Sequence, residues 1–355
     1  MTAETRLTID LDALAANFHV LAREAAGAEV APVVKADGYG LGAEPVARRL
    51  WAEGARSFFV ARLSEGEALR AALGDRPATI RVLDGATRGS HARLVAANLT
   101  PVLSSAEQVA YWRSVQPGPV SVHVETGMNR LGLSAGDLSG LDDVAFLMSH
   151  LSRADQPGHL RNAAQLGRFR AARTLLPGAQ ASLAASGGIF LGPEYRFDVV
   201  RPGISLYGGG PQEVPDPRIR PVAHLDAPIL QIRELKAGDA VGYGGMFTAD
   251  RSMRAAVIGA GYADGVLRAA HAKGAGWLDG VRLPFLIVTM DMIVVDVGEA
   301  PTAKVGGRVE LLGPNAHLDH LAAAASSVAH EILVRISPRA ARRYVGEAKT
   351  RGEAA

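Results

Sequence analysis

The 355-residue chain contains no cysteine. That absence excludes disulfides, thiolate metal ligands and any cysteine nucleophile, and no metal site is expected. Aromatic residues are scarce, at 5%. No run of Lys and Arg is interleaved with them, and the formal net charge is only +2, so nucleic acid is not an expected partner. No apolar run approaches the roughly 20 residues of a membrane span, and the N-terminus lacks the basic-then-apolar order of a signal peptide. A cytoplasmic protein with no membrane partner is expected. Low-complexity blocks and a flexible interdomain linker are also missing. What remains, 48% hydrophobic residues with 40 glycines, is the composition of a compact enzyme long enough for two domains.

The organisation is a βα repeat. After an opening strand at Arg6 to Ile9 and a helix capped by Asp10 or Asp12, short β-rich runs alternate with Ala/Leu/Arg-rich amphipathic stretches. The runs are Val30–Lys35, Ser57–Ala61, Thr79–Leu83, Pro101–Leu103, Val120–Val124, Ala145–Met148, Ala181–Ala184 and Asp198–Val200. Eight units predict an α/β TIM-type (β/α)8 barrel, with catalytic groups at the C-terminal ends of its strands. Near Pro221 to Pro228 the alternation stops. Strands are then expected at Ile229–Leu235, Arg254–Ile258, Leu283–Val288, Ile293–Val297 and Val309–Leu311, and a helix at about Leu318 to Ser327. The expected division is a barrel over 1–225 and a smaller, mostly β C-terminal domain over 226–355, with the tail from Gly346 frayed.

The chemistry concentrates at the strand ends. Residues 33 to 42, Val-Val-Lys-Ala-Asp-Gly-Tyr-Gly-Leu-Gly, set Lys35 at the end of an apolar run and follow it with glycines. Partial desolvation there favours a neutral amine, able to act as a nucleophile, form a Schiff base or accept a proton. Gly38, Gly40 and Gly42 allow the next turn to bring N–H groups close to a phosphate, helped by a helix starting near Ala43. A phosphorylated aldehyde fits both halves, and pyridoxal phosphate is that molecule. The competing reading is an ordinary βα turn.

Later strand ends carry Arg130, within Glu125-Thr-Gly-Met-Asn-Arg-Leu-Gly, then His150, Ser186 and Arg201. Arg130 is a candidate to hold a carboxylate through a bidentate pair, against a solvated loop arginine. His150 is a candidate base, stacking partner or relay, against a core histidine. Arg201-Pro-Gly-Ile-Ser-Leu-Tyr-Gly follows the eighth strand, a recurrent phosphate place in barrels, so Gly203 and Ile204 are candidate N–H donors and Ser186 a candidate hydroxyl, against simple turn chemistry. In the β domain, turns explain the glycines of Val241-Gly-Tyr-Gly-Gly and Gly261-Tyr-Ala-Asp-Gly but not the paired Tyr243 and Tyr262.

Taken in order from about residue 5 to residue 345, these segments resemble the alanine racemase family, fold-type III enzymes that use pyridoxal phosphate. The resemblance implies a head-to-tail homodimer with shared active sites, acting on a small amino acid and supplying D-alanine for peptidoglycan. It implies that Lys35 carries the cofactor and serves as base on one face of Cα, with Tyr243 of the other subunit on the opposite face. His150 would link that tyrosine to Arg201, which faces the pyridine nitrogen. Tyr39, Ser186, Gly203 and Ile204 would hold the phosphate, Arg130 and the main chain of Met290 the substrate carboxylate. Tyr262 would narrow the entrance, with Asp291 among the substrate-site residues. An arginine does not readily give up its proton, so it leaves the ring nitrogen unprotonated and favours proton return to Cα over transamination.

Five residues at four sites depart from that family pattern. His123 stands where many members have a lysine, Ala185 replaces an asparagine, Leu286 and Ile287 replace Gly-Arg, and His330 replaces a tyrosine that limits side-chain size. The rival expectations are therefore a racemase of broader preference, serine first, and a non-catalytic protein that binds pyridoxal phosphate. The second domain with Tyr243 argues against the latter.

Overall fold

The structure is a computed structural model that describes residues 4–346; apart from Gly346 itself, the tail expected to fray from Gly346 lies outside the described residues. The chain forms two compact units. One spans residues 15–206, and the other joins the N-terminal residues through Leu14 to everything from Tyr207 onward.

The opening strand β1 (Arg6–Asp10) belongs to the second unit. The first unit is built on β2 (Glu29–Val30), β3 (Ser57–Val60), β4 (Thr79–Val82), β5 (Thr100–Leu103), β6 (Val120–His123), β7 (Val144–Met148), β8 (Gln180–Ser182) and β9 (Val199–Val200). β3 to β8 form one parallel sheet in sequence order, and β2 pairs with β9. Parallel bridges Val33–Phe59 and Ala185–Arg201 join the two groups, so the eight strands close into the expected barrel. β3 and β6 are buried at every position, as strands covered on both faces require. The first run pairs over a shorter stretch than its apolar sequence suggests. Pro32 has no N–H to donate, although its carbonyl still accepts from Phe59 N at 2.9 Å, and the chain leaves the strand at Lys35.

The second unit holds β10 (Ala223–Leu235), β11 (Ala240–Val241), β12 (Phe247–Thr248), β13 (Met253–Ile258), β14 (Ala275–Leu278), β15 (Val281–Val288), β16 (Ile293–Asp296), β17 (Arg308–Leu312) and β18 (Ala341–Val345). Antiparallel pairings run β10–β13–β16–β15–β14–β17 and return to β10. The circuit turns at β10, which pairs with β17 up to Pro228 and with β13 from Ile229, a bulge following at once. β1 pairs with β10, placing Arg6 opposite Asp226, and β18 runs parallel to β1. Arg6–Asp10 thus pairs within the C-terminal sheet. The helix expected over about Leu318 to Ser327 is present as Leu318–Ala324, three residues shorter, and a second helix not expected from the sequence follows at Ala329–Val334. Ser326 adopts a φ of 52° between them, which ends the first.

Candidate active site

Lys35 opens a left-handed turn. Ala36, Asp37, Gly38 and Tyr39 all have φ between 52° and 62°, followed by Gly40 at 79°. For the three non-glycine residues this conformation costs about 1–2 kcal/mol each. Specific bonds hold it: Glu65 Oε1 accepts from Ala36 N at 2.8 Å, and Asp37 Oδ1 accepts from Ala43 N at 2.8 Å. Glu65 Oε2 also accepts from Ala61 N and Arg62 N, so one carboxylate clamps the loops after the first two barrel strands. The glycine-rich turn was expected to offer its N–H groups to a phosphate. Instead they close the turn itself: Gly38 N donates to Val34 O, Gly40 N to Ala36 O and Gly42 N to Asp37 O. The turn's contribution is to present two side chains. Burial and the Arg130 charge lower the Lys35 amine below its ordinary value, with Glu65 opposing.

Tyr39, the second of those side chains, is 5% exposed and burial pushes its phenol up. It reaches the loop after the eighth strand, where a Cβ on Gly203 would lie 2.2 Å from the Tyr39 hydroxyl. Ser186 Oγ accepts from Gly203 N at 3.0 Å and Ser205 N at 3.2 Å, leaving its own proton to donate. Between those two amides, Ile204 N–H has no acceptor among the described residues. The Ser205 hydroxyl is buried and has no partner there either. Tyr39, Ser186, Gly203 and Ile204 thus lie together. Ala185, in the extended conformation before Ser186, supplies no side-chain cap.

Arg201 is 3% exposed. Its Nη1 donates to Ser182 Oγ at 2.5 Å and its Nη2 to Ser149 O at 2.5 Å. Nε has no acceptor among the described residues, which fits a pyridine nitrogen. Burial, and secondarily Arg81, hold its pKa down to about 9. Burial likewise lowers His150 well below its usual range, assisted by the charges of Arg201, Arg130, His123 and Lys35. His123 falls to about 4, chiefly by burial and then through Arg201 and Arg130. Both imidazoles are therefore neutral acceptor–donor groups at neutral pH.

The Arg130 loop folds back on its own strand: Leu133 N donates to His123 O and Glu125 N to Leu133 O. The Glu125 carboxylate gathers the backbone amides of Gly127, Met128 and Arg130, presenting the exposed Arg130 at the rim. Beneath it, Thr126 Oγ1 meets Ser149 Oγ at 2.7 Å, and Gln165 Nε2 donates to Thr126 Oγ1 and His150 O. Sequence reasoning missed Glu65, Ser149, Ser182 and Gln165. The strand-end positions of Ser149 and Ser182 were a usable signal, whereas Gln165 sits within a helix and carried none.

The remaining expected residues lie in the second unit. Tyr243 is 83% exposed, on a turn whose Gly242 packs so close to Ile287 that a Cβ would lie 2.7 Å from Ile287 Cδ1. Ile287, one of the departures, is a core residue clustered with Met253, Ala255, Leu286 and Val294. A Cβ on Gly261 would meet Met290 O at 2.3 Å. Tyr262 N donates to Thr289 O and Ala263 N to Met290 O, bringing the Tyr262 and Met290 segments together. Met290 N–H has no acceptor among the described residues. Asp291 is ion-paired to Arg339 at 2.8 Å, and His330 is exposed on the Ala329–Val334 helix.

The alanine racemase N-terminal domain family matches residues 9–211, and the alanine racemase C-terminal domain family matches residues 222–344. The catabolic alanine racemase of Agrobacterium fabrum is 43% identical over 97% of this chain and 92% of its own length. The alanine racemase of Methylobacterium nodulans is 45% identical, covering 96% of each. The crystal structure of alanine racemase from Bartonella henselae, with covalently bound pyridoxal phosphate, superposes with a TM-score of 0.90 at 34% identity, over 97% of this chain and all of that one. The biosynthetic alanine racemase of Pseudomonas aeruginosa gives 0.89 at 32% identity, with the same coverage. With its barrel, its lysine-bearing turn and both domain families matched along nearly the whole chain, this protein belongs to the alanine racemase family.

Proposed function

We propose that the chain is a pyridoxal-phosphate-dependent racemase that interconverts L- and D-alanine by two bases on opposite faces of Cα. The observation that carries this reading is the strained Lys35 turn, which sets a lowered-pKa amine beside the Tyr39–Ser186–Gly203 cradle. Bound pyridoxal phosphate supplies an electron sink that makes the Cα proton removable. Lys35 holds the cofactor and then takes or returns the proton on one face. Tyr243 from a second copy serves the other face, because a single base would return the proton to the side it left. Each such transfer contributes roughly 10²–10⁴-fold. Ser186 Oγ, the Ile204 amide and the Tyr39 hydroxyl bind the phosphate. Arg201 Nε donates to the ring nitrogen without protonating it, and neutral His150 connects Arg201 to the Tyr243 phenol. Arg130 and the Met290 amide orient the substrate carboxylate, while Tyr262 and Asp291 narrow the approach.

On this reading the barrel segment 1–225 carries the cofactor, the β segment 226–355 completes the partner's site, and a monomer is inactive. The cellular role is cytoplasmic supply of D-alanine for peptidoglycan. His330 favours a second reading, a racemase that also accepts serine, since an exposed imidazole replaces the size-limiting tyrosine of the family. Chiral chromatography of L-amino acids incubated with the cofactor-loaded protein tests both. Inversion led by alanine supports the main reading, and inversion led by serine supports the second. Tyr243→Phe should retain the cofactor and lose at least 100-fold in racemisation; unimpaired turnover would remove the two-base assignment.

A further inference from the structure

One charged group in the barrel has no part in the chemistry above. Arg81, on β4, is 8% exposed, and its Nε and Nη1 have no hydrogen-bond partner among the described residues. Its guanidinium lies 4.3 Å from the Phe146 ring centroid and 5.6 Å from that of Phe59. The guanidinium of Arg201 lies 5.9 Å from the same Phe59 ring. Phe59 on β3 and Phe146 on β7 are 6.0 Å apart although their strands are four places apart in the barrel. The two rings therefore meet inside it, and the two arginines share one of them. Glu29, partly exposed at the start of β2, is the carboxylate that acts on Arg81. Cation–π contact offsets part of the desolvation of such a cation but leaves its donors unmade. An apolar side chain of similar volume would be the more stable choice at this position.

We infer that Arg81 is a positioning residue acting through Arg201, its fixed charge raising the positive potential at the ring-nitrogen end of the bound cofactor. This rests on the assignment of Arg201 to that nitrogen. Negative charge spreads toward the ring as the substrate loses its Cα proton, and a second cation in a low-dielectric interior stabilises it without touching it. Arg201 is held by Ser182 and Ser149 and cannot swing away from Arg81. The depressed pKa of Arg201, to which Arg81 contributes after burial, agrees with this arrangement.

The test compares cofactor-loaded wild type, Arg81→Met and Arg81→Lys as full chains. Arg81→Met should unfold at a higher temperature, keep KM for alanine within twofold, and lose about tenfold in kcat, the order of one unit-charge interaction in a protein interior. The pH at which the bound cofactor's visible absorbance changes should rise, because a nearby cation has been removed. Arg81→Lys should keep the wild-type absorbance transition. Arg81→Met with wild-type kcat and an unmoved transition would overturn the inference, whatever its stability. Should Arg81→Met not fold, Arg81→Gln replaces it against Arg81→Lys, and equal transitions in the two would overturn the inference. Wild type that fails to bind the cofactor or to racemise would instead sink the proposed function.

Discussion

Gly203→Ala is the sharpest test of the cradle. Gly203 does not have a positive φ, so its backbone accepts alanine and the substitution isolates the effect of one methyl group. That methyl would lie 2.2 Å from the Tyr39 hydroxyl and 2.9 Å from its Cζ. To reach ordinary contact the phenol must retreat by about 1 Å, within a packed and nearly inaccessible site. Overpacking of this kind costs about 1–3 kcal/mol. If Tyr39, Ser186 Oγ and the Ile204 amide hold the phosphate together, much of that cost appears in cofactor binding, as about 5- to 150-fold weaker affinity. Titration of the apoprotein with pyridoxal phosphate, followed by visible absorbance, measures it. Tyr39→Phe removes the nearest atom and should restore part of the loss when combined with Gly203→Ala, with a coupling of about 0.5–3 kcal/mol. A Gly203→Ala protein that binds within twofold of wild type would refute the cradle, because it would show that Tyr39 yields freely.

Three further outcomes are expected. His123 titrates at about 4 in the fold against 6.5 in the unfolded chain, so between those values the unfolded state binds more protons and stability rises with pH. The span is worth about 3 kcal/mol; His123→Gln should flatten the difference in urea stability between pH 4.5 and 7.5, and an unchanged difference would contradict the assignment. Glu65→Ala leaves the amides of Ala36, Ala61 and Arg62 without their acceptor and should destabilise by about 1–3 kcal/mol, while Lys35 should bind pyridoxal phosphate less completely at a fixed concentration. Full occupancy would show that the turn holds without its clamp. His330→Tyr should raise the alanine-to-serine ratio of kcat/KM, and an unchanged ratio would remove His330 from specificity.

The barrel was legible because its signal is local. Each strand is a short apolar run ending in a polar residue, and seven of the eight runs overlap observed strands by at least two residues. The first run overlaps only at Val30, because Pro32 and the left-handed exit after Val34 interrupt its pairing. What had no local signal was the closure of the second unit. Nothing in Arg6–Asp10 indicates that it pairs with a strand more than two hundred residues later, and Ala341–Val345 reads as an exposed basic stretch until β1 lies beside it. Long-range antiparallel pairing is specified jointly by two distant segments, so neither one announces it.

The site divides along the same line, and the Lys35 turn shows why. The glycines after Lys35 were correctly taken as conformational permission, but permission does not name the conformation. A phosphate-binding loop needs free N–H groups, whereas this turn satisfies its own and spends its left-handed residues on aiming Lys35 and Tyr39. The choice is made by Glu65 and Asp37, acceptors that stabilise the unfavourable φ values of Ala36 and Asp37 through the amides of Ala36 and Ala43. Glu65 lies 30 residues away from Lys35, on the Leu63–Leu73 helix that follows the second barrel strand, and looks like any first-turn glutamate. Reactive side chains were thus visible as residue types at strand ends, while the groups that fix their geometry were not. Ser149, Ser182 and Gln165 follow the same rule: each becomes meaningful only once the barrel brings its acceptor or donor to Arg201, Thr126 or His150.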